Sequence, residues 1–224
     1  MSHAKMTLAS LVVTACAGPL AGCTAGQPED LSHADIARVA DVKSSFGAPF
    51  TVHTVGPAAI DPRLLGPQPL PPGVAFDPRD CAESASQQAI PPGVKGNMAA
   101  TTAEGEGMRY IVIAVETSEP VPVNTPTDQC RKVTFTGPGV RGQVEVVDAP
   151  PIDGAHVVGT HRVLHITAQG GPRTGELYNY VANFGTFIVI VTANPLVLPD
   201  AAVVPADTQR ARDLVTEAVT LVKG

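Results

Sequence analysis

Two short runs constrain the fold of this chain more than any other feature. Tyr110-Ile111-Val112-Ile113-Ala114-Val115 and Phe187-Ile188-Val189-Ile190-Val191 are apolar at every position. At five or six residues they are strand-sized, far short of the ~20 residues of a membrane-spanning helix. Side chains alternate across a strand, so both faces of these two strands must be buried. They therefore belong at the centre of a sheet covered on both sides. One cover is legible at the C-terminus. After Asp207, the residues Ala211, Leu214, Val215, Ala218, Val219 and Val222 recur at helical spacing, with Arg210, Arg212, Asp213, Glu217 and Lys223 off the stripe.

Further strands are expected at about Phe50–Val55, Arg131–Thr136, Gln143–Val147, Ala155–Ala168, Glu176–Ala182 and Thr186–Ala193, with the β-pattern beginning in earnest at Met108. Asn183-Phe184-Gly185 reads as a hairpin turn, and the short links argue for antiparallel pairing. Ser32-His33-Ala34-Asp35 reads as a capping box opening a helix that runs to about Phe46. The segment 56–77 holds Pro57, Pro62, Pro67, Pro69, Pro71 and Pro72. At that density neither a long helix nor a central strand survives, because each proline lacks a backbone donor. It reads as an extended, surface-wrapping loop. Asp77-Pro78 is expected to open a short helix to about Gln88, with Asp77 as its cap. Leu70-Pro71-Pro72-Gly73-Val74 is echoed by Ile90-Pro91-Pro92-Gly93-Val94. Two copies make no solenoid and read as similar turns. The expected fold is α+β: an antiparallel β-sheet of five to seven strands packed by N- and C-terminal helices.

The N-terminus carries an address. Lys5 precedes an apolar run from Met6 to Gly18, and Leu20-Ala21-Gly22-Cys23 follows. The run fits the h-region of an export signal. The tetrapeptide matches the lipobox of bacterial lipoprotein precursors. That likeness implies cleavage between Gly22 and Cys23 and a lipid on the Cys23 thiol, rather than an ordinary secretory cleavage site with a chance cysteine. Residues 1–22 are then signal peptide, 23–31 the lipidated cysteine and a polar tether, and 32–224 one domain. The expected location is the extracytoplasmic face of the cell membrane. Of the four cysteines, Cys16 leaves with the signal and Cys23 is acylated. Cys81 and Cys130 remain, in an oxidising compartment, and are expected to pair rather than stay free. The bridge would close a loop of about 50 residues, worth roughly 4 kcal/mol in the chain-entropy model. Neither cysteine lies in a C-x-x-C pair or near a histidine, which disfavours a metal.

Lys plus Arg number 15 against 21 Asp plus Glu, a net charge of −6, or 14 − 21 = −7 once Lys5 is removed. That balance excludes a general nucleic-acid binder. No nucleophile elbow, P-loop, H-E-x-x-H or dinucleotide fingerprint is present. His161 and His165 share a strand face roughly 13 Å apart, too far for one metal ion, and His156 points to the other face. Glu104-Gly105-Glu106 reads as a solvated pair in a glycine-rich loop. A sugar-cleaving pair would want aromatic platforms, and the chain has no Trp. Tyr178, Tyr180 and Phe184 fall on one strand parity and are either core beneath a helix or a candidate ligand groove. No cofactor or metal is expected.

Four features, the lipobox Leu20–Cys23, Asp35-Ile36-Ala37-Arg38-Val39, Phe76-Asp77-Pro78-Arg79-Asp80-Cys81, and Glu176-Leu177-Tyr178 through Ala193-Asn194-Pro195-Leu196-Val197, together resemble a family of small mycobacterial cell-envelope lipoproteins of unassigned function. More distantly the chain is similar to the extracellular sensor domain of PknH-type receptor kinases. That resemblance implies an α+β domain with a cleft, though with two disulfides where this chain can form one. The function expected is non-enzymatic: a membrane-anchored, sensor-like binding domain whose ligand is a lipid or a protein. The alternatives are a lipid or glycolipid carrier in the envelope, and a hydrolase with an unfamiliar site.

Overall fold

The computed structural model describes residues 30–65, 69–86, 90, 91, 93–168, 171–198 and 202–224. The expected signal segment, Cys23 and nearly all of the expected tether lie outside the described residues, as do Pro67 and Gln88.

Nine strands form one antiparallel sheet, where five to seven were expected. In chain order they are β1 (Thr51–Ala59), β2 (Ala75–Asp77), β3 (Gly96–Gly105), β4 (Met108–Thr117), β5 (Lys132–Gly137), β6 (Val140–Val147), β7 (His156–Ala168), β8 (Gly171–Phe184) and β9 (Phe187–Pro195). Across the sheet the order is β1-β3-β4-β9-β8-β7-β6-β5-β2. The doubly apolar runs occupy β4 and β9, which are neighbours, with Val112 opposite Val191 and Ile113 opposite Ile190. All four of these side chains are buried.

The two additional strands are β2 and β3. β3 is built from alanines and threonines, which carry a weak strand signal. Its odd-numbered side chains, Ala99, Thr101 and Ala103, lie beneath the N-terminal helix. Their small size allows that helix to approach until Thr101 Oγ1 donates to the Val39 carbonyl at 2.9 Å. β2 is three residues long and exists through its pairing with β5. The loop expected over 56–77 is therefore interrupted. β1 runs on through Gly56 and Pro57 to Ala59, with a register shift between Val55 and Ala58. A bulged, proline-bearing strand at one edge and a three-residue strand at the other blunt both edges against pairing with further chains.

The N-terminal helix is a 3₁₀ helix, Ile36–Ser45, capped by Asp35, whose side chain accepts from the Ala37 N–H at 2.8 Å. Ser32 is not its cap. Ile36, Val39 and Val42 are buried. Their spacing of three matches a 3₁₀ turn and lines them up on one edge, which accounts for the unusual length of the helix. The C-terminal helix α2 (Thr208–Lys223) follows a shorter one, α1 (Ala82–Ser86), and is capped by Asp207. All six residues of its apolar stripe are buried. The cap expected from Asp77 does not form. A 3₁₀ turn, Arg79–Cys81, leads into α1 instead, with no side-chain cap.

The 3₁₀ helix and α2 share one face of the sheet with a core that includes Tyr110, Tyr180 and Phe184. The opposite face is covered by loops. The two echoed segments serve it in the same way: Leu70 and Val74 pack on one apolar cluster, Ile90 and Val94 on another. The Cys81–Cys130 disulfide, S–S 2.02 Å, belongs to the first of these clusters.

Candidate functional site

The tyrosine stripe is core. Tyr180 and Phe184 are buried beneath α2 and Tyr178 is partly buried against the same cluster. Burial pushes the Tyr180 phenol pKa up, an effect partly offset by the Arg212 charge. Among the described residues its hydroxyl makes no hydrogen bond of good geometry, although the Arg212 guanidinium lies close enough to favour the ionised phenol.

Tyr178 instead serves a second group on the same face. Its ring stacks on the His161 imidazole at 4.2 Å between centroids and 8° between planes. His161 Nδ1 meets Glu145 Oε1 at 3.2 Å and Nε2 meets Glu176 Oε1 at 2.9 Å. The imidazole thereby ties β6, β7 and β8 together. The bond from His161 holds the Glu145 carboxyl below its ordinary pKa. His165 meets Thr174 Oγ1, and His156 meets Thr125 Oγ1. Among the described residues, no group of three His, Cys, Asp or Glu is arranged to hold a metal ion. Glu104 is paired with Arg109 at 2.6 Å across a two-residue hairpin turn of Glu106 and Gly107. Both turn residues have positive φ, 52° and 74°, the geometry that such a tight turn demands. Ser45 Oγ donates to the Glu217 carboxylate, with no histidine in the pair.

The groove lies on the other face. Four adjacent strands, β7, β8, β9 and β4, form its floor with Leu164, Leu177, Ile190 and Ile113. Leu64 and Leu65, from the proline-rich segment, contribute a further wall. Its volume is about 330 Å³, at the lower end of the range of roughly 300–1,000 Å³ typical of small-molecule sites. Thr192 and Asn194, on the same strand and face as Ile190, put two polar groups into that floor. The groove falls between the two apolar clusters of the loop-covered face.

Arg162 also lines this groove. It sits on β7 opposite Leu177 of β8 and Val144 of β6. It is only 6% exposed. Its Nε has no hydrogen-bond partner, and no carboxylate among the described residues forms a salt bridge with it. Glu176 borders the groove, but its Oε1 is bonded to His161. The Phe135 ring lies 5.6 Å from the Arg162 guanidinium carbon, a cation–π contact that offsets part of the lost hydration. Phe135 can lie there because β6 has Gly142 opposite it: a Cβ at Gly142 would come within 2.6 Å of the ring. Burial lowers the Arg162 pKa from its ordinary value, yet a guanidinium stays charged at neutral pH. In the sequence Arg162 is an ordinary charge within a strand of mixed polarity. Only its parity, shared with Leu164, hinted that it faces inward.

The family model for a domain of unknown function, DUF5642, matches residues 35–223. An X-ray structure of an uncharacterized protein from Mycobacterium smegmatis, an Rv0999 ortholog, is similar at 60% identity and TM-score 0.81, covering 85% of this chain and 98% of that one. The crystal structure of the extracellular domain of PknH from Mycobacterium tuberculosis is a distant likeness, at 14% identity and TM-score 0.37, covering 87% of this chain and 98% of that one. No curated protein matches the chain.

Proposed function

The chain belongs to the DUF5642 family, and from that premise we propose that it is a lipid-anchored, extracytoplasmic binding domain that holds a ligand rather than transforming one. The observation that carries the reading is the groove of about 330 Å³ with largely aliphatic walls on the loop-covered face. Such a lining holds an apolar group by excluding water and offers little to activate a bond. The lipobox ending at Cys23 supports the anchor, and the disulfide suits an oxidising compartment. No helix among the described residues is long and apolar enough to cross a membrane. Attachment then rests on acyl chains, at about 0.8 kcal/mol per buried CH₂.

Two measurements test the reading. Expressed in a mycobacterial host, the full chain takes up an alkyne-bearing palmitate analogue, and Cys23→Ala abolishes the label. Label persisting in that variant overturns the anchor. Native mass spectrometry of the exported protein is expected to show a bound small molecule or to capture an added aliphatic one. Failure with every aliphatic compound overturns the groove as a binding site. The same aliphatic lining favours a second reading, a lipid or glycolipid carrier. It predicts transfer of a fluorescent lipid between vesicles by the soluble domain, and a rate no higher than without protein dismisses it.

A further inference from the structure

An arginine held almost wholly out of water, with no counter-ion, is costly to a fold. The guanidinium gives up hydration that nothing in the protein fully replaces. Arginines in such positions normally bond a carboxylate or a backbone carbonyl. Arg162 does neither among the described residues and rests only on the Phe135 ring. Its surroundings are otherwise complete. Phe135 is buried, its place is secured by Gly142, and the neighbouring Glu176 turns its carboxylate to the other face of the sheet, where it meets His161. Arg162 also lines the groove, the opening to which its guanidinium has access among the described residues.

That groove has a direction. From Arg162 and Leu164 on β7 it crosses Leu177 on β8 and Ile190 on β9 to Ile113 on β4. Four strands at ~4.8 Å spacing span roughly 14 Å. A fixed cation at one side and a mostly aliphatic floor running away from it, with Thr192 and Asn194 as its polar members, describe the complement of a molecule with an anionic head and an apolar tail.

We propose that the groove binds an amphipathic anion, an oxyanion head on a single aliphatic tail, with Arg162 as the residue that selects the head. The inference rests on the groove being the binding site and adds the chemical class of the ligand. The planar guanidinium presents paired N–H donors that suit two oxygens of a carboxylate or phosphate. The aliphatic tail lies over Leu177, Ile190 and Ile113 and replaces water there. The chain's overall negative charge does not attract such a ligand, so the selectivity is local to Arg162.

The test uses the soluble domain, residues 24–224, with the disulfide intact, and four probes that share one tail: decanoate, decyl phosphate, 1-decanol and decyltrimethylammonium. Affinity is read by isothermal titration and by ligand-induced change in Tm. An anionic probe is expected to bind at least ~10-fold more tightly than decanol, and the cation most weakly. Preference for decanoate over decyl phosphate, or the reverse, distinguishes a fatty-acid-like head from a phospholipid-like one. Arg162→Met keeps an unbranched apolar stem and removes the charged guanidinium. It is expected to melt at or above the wild-type Tm and to bind decanol and decanoate about equally. If wild type binds decanol as well as the anions, the inference about Arg162 is overturned while the groove stands. If no decyl compound binds, both fall. If Arg162→Met fails to fold, the four-probe ranking in the wild type decides alone.

Discussion

One sheet presents two faces that are closed in different ways. On the first, the 3₁₀ helix and α2 lay periodic apolar stripes on Ala99, Tyr110, Val112, Val189 and Val191, and the cluster is continuous. On the second, loops and the α1 segment cover the strands in patches, so the apolar residues divide into two clusters, one around Ile113 and Ile190, the other around Phe135 and the disulfide. A helix brings a row of side chains at fixed intervals and fills the space beneath it. A proline-rich loop brings isolated anchors, here Leu65, Leu70 and Val74, with gaps between them. Among the described residues each face holds a buried polar atom without a hydrogen-bond partner: the neutral hydroxyl of Tyr180 beneath α2, and Nε of the charged Arg162 in the seam between the loop-held clusters. The helical face tolerates its unpaired group because a hydroxyl is cheap to bury. The loop face keeps a far costlier one beside an open groove, where a ligand can reach it.

The comparison breaks first at the disulfide. It joins residues 49 apart, so its loss is expected to cost about 4 kcal/mol by the chain-entropy relation. Cys81→Ala with Cys130→Ala should lower the urea midpoint accordingly. Hydrogen exchange should rise around residues 70–85 and 128–136 well before α2 is exposed. Uniform loss of protection on both faces would show that they do not open separately.

The helical face gives the next effect. Burial, with Asp207 adding to it, pushes the Tyr110 pKa up to about 12. The neutral phenol is therefore favoured in the folded state. Its contribution is fully present below the unfolded value near pH 10 and is lost as pH rises through about 12, up to about 3 kcal/mol. Denaturant midpoints measured from pH 9 to 12 should fall, and Tyr110→Phe should flatten part of the fall. Tyr178 and Tyr180, also raised by burial, account for the remainder. An unchanged slope in Tyr110→Phe would remove Tyr110 from the account.

The smallest effect sharpens the contrast between the unpaired groups. Tyr180→Phe removes a hydroxyl without a partner, and stability is expected to stay level or rise by up to about 1 kcal/mol. A loss of more than that would mean that the Arg212 charge near the phenol stabilises the fold.

How legible each face was follows from how it is covered. The stripe on α2 could be read residue by residue because a helix imposes its period on the sequence. The 3₁₀ helix was legible as a helix and not as its type, since Ile36, Val39 and Val42 suit either winding until the sheet beneath selects one. β3 was missed because small residues, chosen for close approach of a helix, resemble no strand pattern. Of the two readings of Tyr178, Tyr180 and Phe184, core beneath a helix is the one the fold adopts. Strand parity says which residues share a side and leaves open which side receives the helices.

The sequence by itself determined that β4 and β9 are central, that a C-terminal helix covers one side, and that Cys81 and Cys130 were to be expected as a pair. These are local or compositional facts, encoded by periodicity and count. The tertiary structure alone decided that Arg162 is buried beside a groove with no hydrogen-bond or ion-pair partner among the described residues. That depends on the register of β6, β7 and β8, on the ring of Phe135 filling the space left by Gly142, and on Glu176 being claimed by His161 on the opposite face. Residues so far apart in the chain meet only when the sheet forms, and an isolated charge in a strand carries no mark of which neighbours it will have or lack.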